Sequence, residues 1–182
     1  MFKLTVTPFG EDKKPRTRRV GTVSNALCSD NTTEYDDLAD FIDDVTLPSA
    51  ASWSYEFSGS RSNDNFIGSS VIGLDVDSGP NLSTVMRFLD TQNLTPNATY
   101  FTFSDKPNKF RLIWLLDRKL TSIAAFKHIQ KGIASLLDDI DCDVDNTYDP
   151  ARLFFGGIRG DVNSCEPYDA DKLFKIVNSK LL

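Results

Sequence analysis

The stretch ATYFTFSDKPNKFRLIWLL, residues 98–116, constrains the fold more than any other part of the chain. Its two runs are rich in aromatic and β-branched residues, which suit a pleated, half-buried surface. Between them, DKPNK carries the proline, aspartate and asparagine of a turn. The segment reads as a hairpin with strands over residues 98–104 and 110–116. Helical periodicity brackets it. Ahead of it, Leu82, Val85, Met86 and Leu89 fall at i, i+3, i+4 and i+7. Behind it, Ile123, Phe126, Ile129, Ile133, Leu136 and Ile140 mark a longer helix with Thr121 or Ser122 as N-cap. Residues 71–76 form an apolar strand before the first helix. RLFFGG, residues 152–157, reads as a short apolar strand after the second, and DADKLFKIVNSKLL as a terminal helix. The order β-α-β-β-α-β is that of the split βαβ, ferredoxin-like or RNA-recognition-like, α+β fold.

The first 65 residues carry weaker signals and read as an N-terminal αβ extension. Residues 3–7 alternate like a strand. Leu38, Phe41, Ile42 and Val45 fall at helical spacing within the acidic EYDDLADFIDDV. KKPRTRR, residues 13–19, is a dense basic run, and SGSRSNDN, residues 58–65, is loop-like. A chain of 182 residues is expected to form one domain, with an αβ portion over 1–65, the core over 66–160 and the terminal helix over 161–182.

The net charge of −6 excludes a uniformly basic nucleic-acid binder, though not a local basic face on an acidic body. No apolar run approaches a membrane span, and MFKLTVTPFGEDKKPR lacks the long apolar region of a secretory signal, so a cytoplasmic protein is expected. Cys28, Cys142 and Cys165 form no CxxC, and His128 is the sole histidine, which argues against structural zinc and a disulfide framework. The N-x-S/T triplets at Asn31, Asn81, Asn93 and Asn97 read as chance.

The strand over residues 71–76 runs into SSVIGLDVDSG, with Asp75 and Asp77 at its end. Residues two apart in a strand share a face, so the two carboxylates project together. Like charges so placed repel unless a cation joins them, and hard oxygen donors suit Mg²⁺ or Mn²⁺. The bland reading is a strand-to-turn junction with Asp77 capping the Ser78–Gly79 turn. A second acidic stretch, DDIDCDVDNTYDPARLFFGG, brings Asp145, Asp149 and Arg152 ahead of the last apolar segment. Neighbouring first and last strands of a βαββαβ sheet would bring these acids to Asp75 and Asp77. Lys106, Lys109 and Arg111 surround the hairpin turn. Arg111 lies inside its strand and wants an anion, either one of these acids or a phosphate.

With those residues in place, the chain resembles the archaeo-eukaryotic primase (AEP) superfamily, most of all the primase–polymerases of phage and plasmid replication proteins. VIGLDVD resembles its first motif, an apolar strand ending in two acids. YFTFS…KFRLIWLL resembles its second, and VDNTYDPARLFFGG its third. The second motif in the family is Ser-x-His; here Ser104 is followed by Asp105, and Arg111 stands where the strand's histidine aligns. Arginine binds phosphate but cannot shuttle a proton near neutral pH. Val144–Asp145 fits the third motif, with Asp149 a competing third acid.

The resemblance implies a DNA-dependent primase or polymerase that makes or extends primers on single-stranded DNA from NTPs or dNTPs, in replication of a phage, plasmid or other mobile element. It implies that Asp75, Asp77 and Asp145 are catalytic and bind two Mg²⁺ or Mn²⁺ ions. It implies that Arg111 and Arg152, with Lys109, Lys106 and Ser104, hold the triphosphate. Gly156–Gly157 would let the incoming nucleotide approach the backbone, and residues 13–19 would touch the template or form a solvated arm. Relatives often carry a helicase domain, so a helicase is an expected partner. Either acid of the pair is expected to be replaceable by alanine with the fold intact. The alternatives are a DxD metal-dependent glycosyltransferase, whose sheet builds upstream of its acids, and a catalytically degenerate primase-like nucleic-acid-binding domain. An RNA-recognition module is disfavoured, because KFRLIWLL lacks the glycines of that motif.

Overall fold

The computed structural model of the chain describes residues 1–104, 106–146 and 148–181. The N-terminal portion contains β1 (Phe2–Thr7), α1 (Thr17–Ala26), β2 (Thr32–Tyr35), α2 (Leu38–Val45), β3 (Ser52–Ser54) and β4 (Glu56–Phe57). The remainder contains β5 (Phe66–Ser78), α3 (Leu82–Thr91), β6 (Ala98–Thr102), β7 (Phe110–Leu120), α4 (Ile123–Asp138), β8 (Asp143–Val144), β9 (Gly157–Val162) and α5 (Ala170–Leu181).

Local chemistry sets most of these boundaries. Asn81 and Ser122 cap α3 and α4 by accepting the backbone N–H groups of Thr84 at 3.0 Å and Ala125 at 3.3 Å. Asp37 and Asp169 act likewise on Ala39, ahead of α2, and on Asp171 and Lys172, at the start of α5. The hairpin is present, and β7 runs on to Leu120, past the expected end at Leu116.

The larger sheet has the order β4-β5-β7-β6-β9, with β8 also paired to β5. The unit β5-α3-β6-β7-α4-β8 therefore has the spatial order β8-β5-β7-β6, with its last strand beside its first, as the split βαβ requires. Which segment fills that last position differs from expectation. Residues 152–156 form no strand of the larger sheet, and Gly157 only begins β9. Phe154 makes an isolated bridge to Trp53, and its ring stacks on the indole at 4.2 Å. The fourth strand is instead the two-residue β8, pairing Val144 with Val76. The chain then crosses the molecule to lay β9 along β6. The apolar LFF reads as a strand, but Phe154 is buried by aromatic packing rather than by a ladder.

The smaller sheet, β2-β1-β3, is antiparallel. Trp53 and Tyr55 reach from it onto the face of the larger sheet that carries Gly73, Asp75, Arg111 and Tyr100. There the Trp53 indole N–H donates to the Tyr100 hydroxyl at 2.7 Å. The opposite face, with Ile72, Leu74, Leu112 and Trp114, packs toward α3, and Trp114 donates to the carbonyl of Leu94 just beyond that helix. Between the segments of β5 paired to β4 and to β8, the strand edge is completed by side chains. The Gly73 N–H donates to the Tyr55 hydroxyl at 3.3 Å, and buried Gln130 of α4 donates to the Gly73 carbonyl at 3.1 Å. This satisfies backbone groups that would be costly to bury alone. No helix among the described residues is long and apolar enough to cross a membrane.

Candidate active site

β5 delivers Asp75 and Asp77 to one face, as the two-residue spacing dictates. Across the ladder Asp75 lies directly opposite Arg111 on β7, and Arg111 opposite Tyr100 on β6. A row of carboxylate, guanidinium and phenol thus runs across the sheet. Arg111 Nη2 donates to Asp75 Oδ2 at 3.2 Å, and Nη1 to the Tyr100 hydroxyl at 3.2 Å and to the Phe155 carbonyl. The Tyr100 hydroxyl donates to that same carbonyl at 3.2 Å. Asp77, nearer the strand end, is 3.5 Å from Lys109 Nζ.

β8 brings in the third acid. The Asp145 N–H donates to the Asp75 carbonyl at 3.0 Å, setting the two residues side by side. Gly79, at φ +112°, lets the chain turn tightly at the end of β5. A side chain there would meet the Asp141 carbonyl at 2.5 Å, so glycine allows the segment leading into β8 to lie close. Arg152 then closes the group, donating through Nη2 to Asp145 Oδ2 at 2.7 Å and to Asp75 Oδ2 at 3.2 Å. Its backbone is held from two sides: Ser54 Oγ donates to the Arg152 carbonyl at 2.5 Å, and Arg61 donates to that of Ala151.

The electrostatics follow from burial. Desolvation works against the Arg111 charge, but Asp75 and the Tyr100 hydrogen bond outweigh it, and the guanidinium's pKa is raised. Burial raises the Tyr100 pKa, so the phenol stays protonated and keeps its donor. Asp75 Oδ2 serves both arginines, while Oδ1 is buried and accepts no hydrogen bond from a described residue. A buried carboxylate oxygen without a donor marks a position that a cation or a proton would fill.

In front of the pair opens a cleft of about 320 Å³, lined by Asp75, Asp77, Ser104, Lys109 and Arg111, and also by Lys13 and Lys14. Ser104 and Lys109 thus lie where the sequence places them. Lys106 sits on the exposed turn, away from the cleft. Asp105 lies outside the described residues. Asp149 is engaged in the turn ahead of Arg152, its Oδ1 accepting the Ala151 N–H at 3.0 Å, and Asp145 is the acid joined to Asp75. Among the described residues, no group of three or more His, Cys, Asp or Glu side chains is drawn together closely enough to hold a metal ion. Asp75 and Asp145 are instead bridged by Arg152.

Arg111 is paired with Asp75 at the end of the strand, the acid partner that its place in the sequence allowed. A Cβ at Gly156 would strike the Ala50 carbonyl and one at Gly157 the Phe101 carbonyl, so internal packing requires both glycines, and Gly156 also lines the cleft. One expectation changes. Asp75 is not replaceable without structural cost, since it neutralises two largely buried arginines. Sequence reasoning also missed Tyr100 and Trp53. Their aromatic character signals core, and nothing in the pattern shows that a hydroxyl and an indole N–H meet at Arg111.

The fold is similar to that of an archaeo-eukaryotic primase domain. The solved structure that shows this is the AEP domain of the primase-polymerase of cyanophage S-2L. The two superpose with a TM-score of 0.53 over 97% of this chain and 88% of that one, at 13% sequence identity. No protein-family model and no curated protein matches the sequence.

Proposed function

We propose that the chain is a nucleotidyltransferase of the primase–polymerase type, making or extending primers on single-stranded DNA. One observation carries this reading. The end of β5 sets two carboxylates on one face of a cleft walled by Lys109 and Arg111, and β8 brings a third to its side. Acids beside cations in an open cleft suit a polyphosphate held with divalent ions. The likeness to a primase-polymerase domain supports the same reading at the level of fold.

Mg²⁺ or Mn²⁺ fits the donor chemistry, which is all carboxylate oxygen and includes the unpartnered Asp75 Oδ1. Asp75 and Asp77 would hold the ion, joined by Asp145 once Arg152 releases it to an incoming phosphate. A divalent ion so held would lower the pKa of the attacking 3′-hydroxyl and neutralise charge on the departing pyrophosphate. The chain's own contribution is positioning. Arg111 fixes the Asp75 carboxylate, Tyr100 and the Phe155 carbonyl fix Arg111, and Lys109 with Ser104 presents donors to phosphate oxygens.

The test is a primer-synthesis assay with Mg²⁺ or Mn²⁺, labelled nucleotides and unprimed single-stranded DNA, repeated with a primed template. Incorporation by the wild type and its loss in Asp77→Ala are expected. A folded wild-type protein that incorporates nothing on either template overturns the proposal and favours a binding domain without catalysis.

A further inference from the structure

The basic run at residues 13–19 is neither a free arm nor a continuous helix. It is a tethered strap whose Lys13 and Lys14 line the cleft. On its N-terminal side, the N–H groups of Phe9 and Gly10 donate to the Ser49 carbonyl at 3.3 and 2.6 Å. On its C-terminal side, Arg16 starts α1, its carbonyl accepting the N–H groups of Arg19 and Val20. Arg19 pairs with Glu11 across the strap, and Pro15 is buried beneath it. Lys13 and Lys14 remain, exposed and lining the cleft that also holds Asp75 and Asp77.

Their surroundings set them apart from the other cations of the cleft. Lys109 is paired with Asp77 and Arg111 with Asp75. Lys13 and Lys14 line the same cleft, and neither forms an ion pair with a described residue. The Lys14 ammonium lies 5.0 Å from the centroid of Phe155, whose carbonyl anchors Arg111 and Tyr100. Once the internal pairs are counted, the two lysines leave the cleft lining with an excess of positive charge. Its volume of about 320 Å³ is that of a small-molecule site rather than a groove for a strand. Ammonium groups on flexible stems suit phosphate oxygens whose positions shift during a reaction.

We propose that Lys13 and Lys14 form the clamp for the terminal phosphates of the incoming nucleoside triphosphate, in the cleft that they share with Lys109. This rests on the nucleotidyltransferase reading and deepens it. The phosphates are gripped by a segment that precedes the whole βαββαβ unit, in a chain with no histidine at the second motif.

The experiment compares wild type, Lys13→Ala/Lys14→Ala and Lys13→Arg/Lys14→Arg in three measurements. These are binding of a fluorescent nucleoside triphosphate and of the matching monophosphate without template, binding of labelled single-stranded DNA, and primer extension. Both side chains are exposed, so the melting temperature should not move. The alanine pair should weaken triphosphate binding by about tenfold per lysine, the effect of losing a hydrogen bond between charged groups. Monophosphate and DNA affinities should stay within about twofold, and the arginine pair should restore triphosphate binding. Unchanged triphosphate affinity with weakened DNA binding overturns the clamp and makes the strap a template contact. If the wild type extends primers and the alanine pair binds triphosphate normally, only the clamp fails. If the wild type neither binds nor incorporates nucleotide, the clamp and the nucleotidyltransferase reading fail together.

Discussion

Arg152 donates to Asp145 at 2.7 Å through the same nitrogen that reaches Asp75. One guanidinium therefore neutralises two acids that arrive from different strands, in the position a shared cation would take. Arg152→Ala leaves Asp145 without this partner, and about 1–3 kcal/mol of stability should be lost. The variant's melting temperature should also rise more on addition of Mn²⁺ than that of the wild type, because Arg152 then no longer competes for Asp75 and Asp145. Urea denaturation and thermal melts with and without Mn²⁺ check both. An equal Mn²⁺ shift in the two proteins would separate Arg152 from the ion site.

Asp75 and Arg111 are cross-strand neighbours with side chains only 12% and 6% exposed. Asp75→Ala strands a buried guanidinium and should cost roughly 3–5 kcal/mol, whereas Asp75→Leu/Arg111→Leu should recover a substantial part of that. A double-mutant cycle in guanidinium chloride measures the coupling. Strictly additive effects would contradict the pairing.

Asp77 gives the cleaner chemical test. Its side chain is 48% exposed, and its pairing with Lys109 is of the surface kind, contributing at most about 1 kcal/mol. Asp77→Ala should abolish nucleotide incorporation while leaving the melting temperature nearly unchanged. Loss of activity in Asp75→Ala alone would not separate chemistry from unfolding.

Tyr100→Phe removes one oxygen and strips three groups of a partner: the Trp53 indole, Arg111 and the Phe155 carbonyl. A cost of about 1–3 kcal/mol is expected, read as a lower denaturant midpoint. If primer extension is measurable, catalysis should fall with it, because Arg111 loses a support.

Burial, with help from Asp143 and Asp138, pushes the Cys142 thiol up to about 11. The folded state then holds this proton more tightly than the unfolded state. The associated stability is complete below about pH 9, is lost as pH rises toward 11, and changes no further above that. Cys142→Ala should therefore flatten the decline in stability across this window. In native protein a thiol reagent should modify exposed Cys165 promptly and Cys142 only on unfolding.

Much of the site's frame is legible in the sequence because it rests on local rules. The hairpin, the α4 cap at Thr121 or Ser122 and the same-face pair Asp75 and Asp77 all follow from residues a few positions apart. The unread parts depend on distant partners. β8 is two residues long and has no pattern to detect, yet it carries Asp145 to Asp75. β9, GIRGDV, mixes two glycines and two charges with Ile158 and Val162 and shows no clean apolar–polar alternation, and it forms along the edge of β6. The meeting of Arg111 with Asp75 is a matter of register, which the hairpin loop and the β5 edge set together. Residues 13–19 read as a template contact or a solvated arm, because the contact that tethers the segment ahead of them lies at the distant Ser49.

The brevity of β8 has a dynamic consequence. The long β5–β7 ladder ties Asp75 and Arg111 to the most protected part of the sheet, while Asp145 follows the two-residue β8 and is held beside Asp75 by one backbone hydrogen bond and by Arg152. Short pairings open at a fraction of the global unfolding free energy. Amide hydrogen exchange at Val144 and Asp145 should therefore outpace exchange along β5. Two carboxylates stand on a long ladder, and the third stands just past a pairing two residues long.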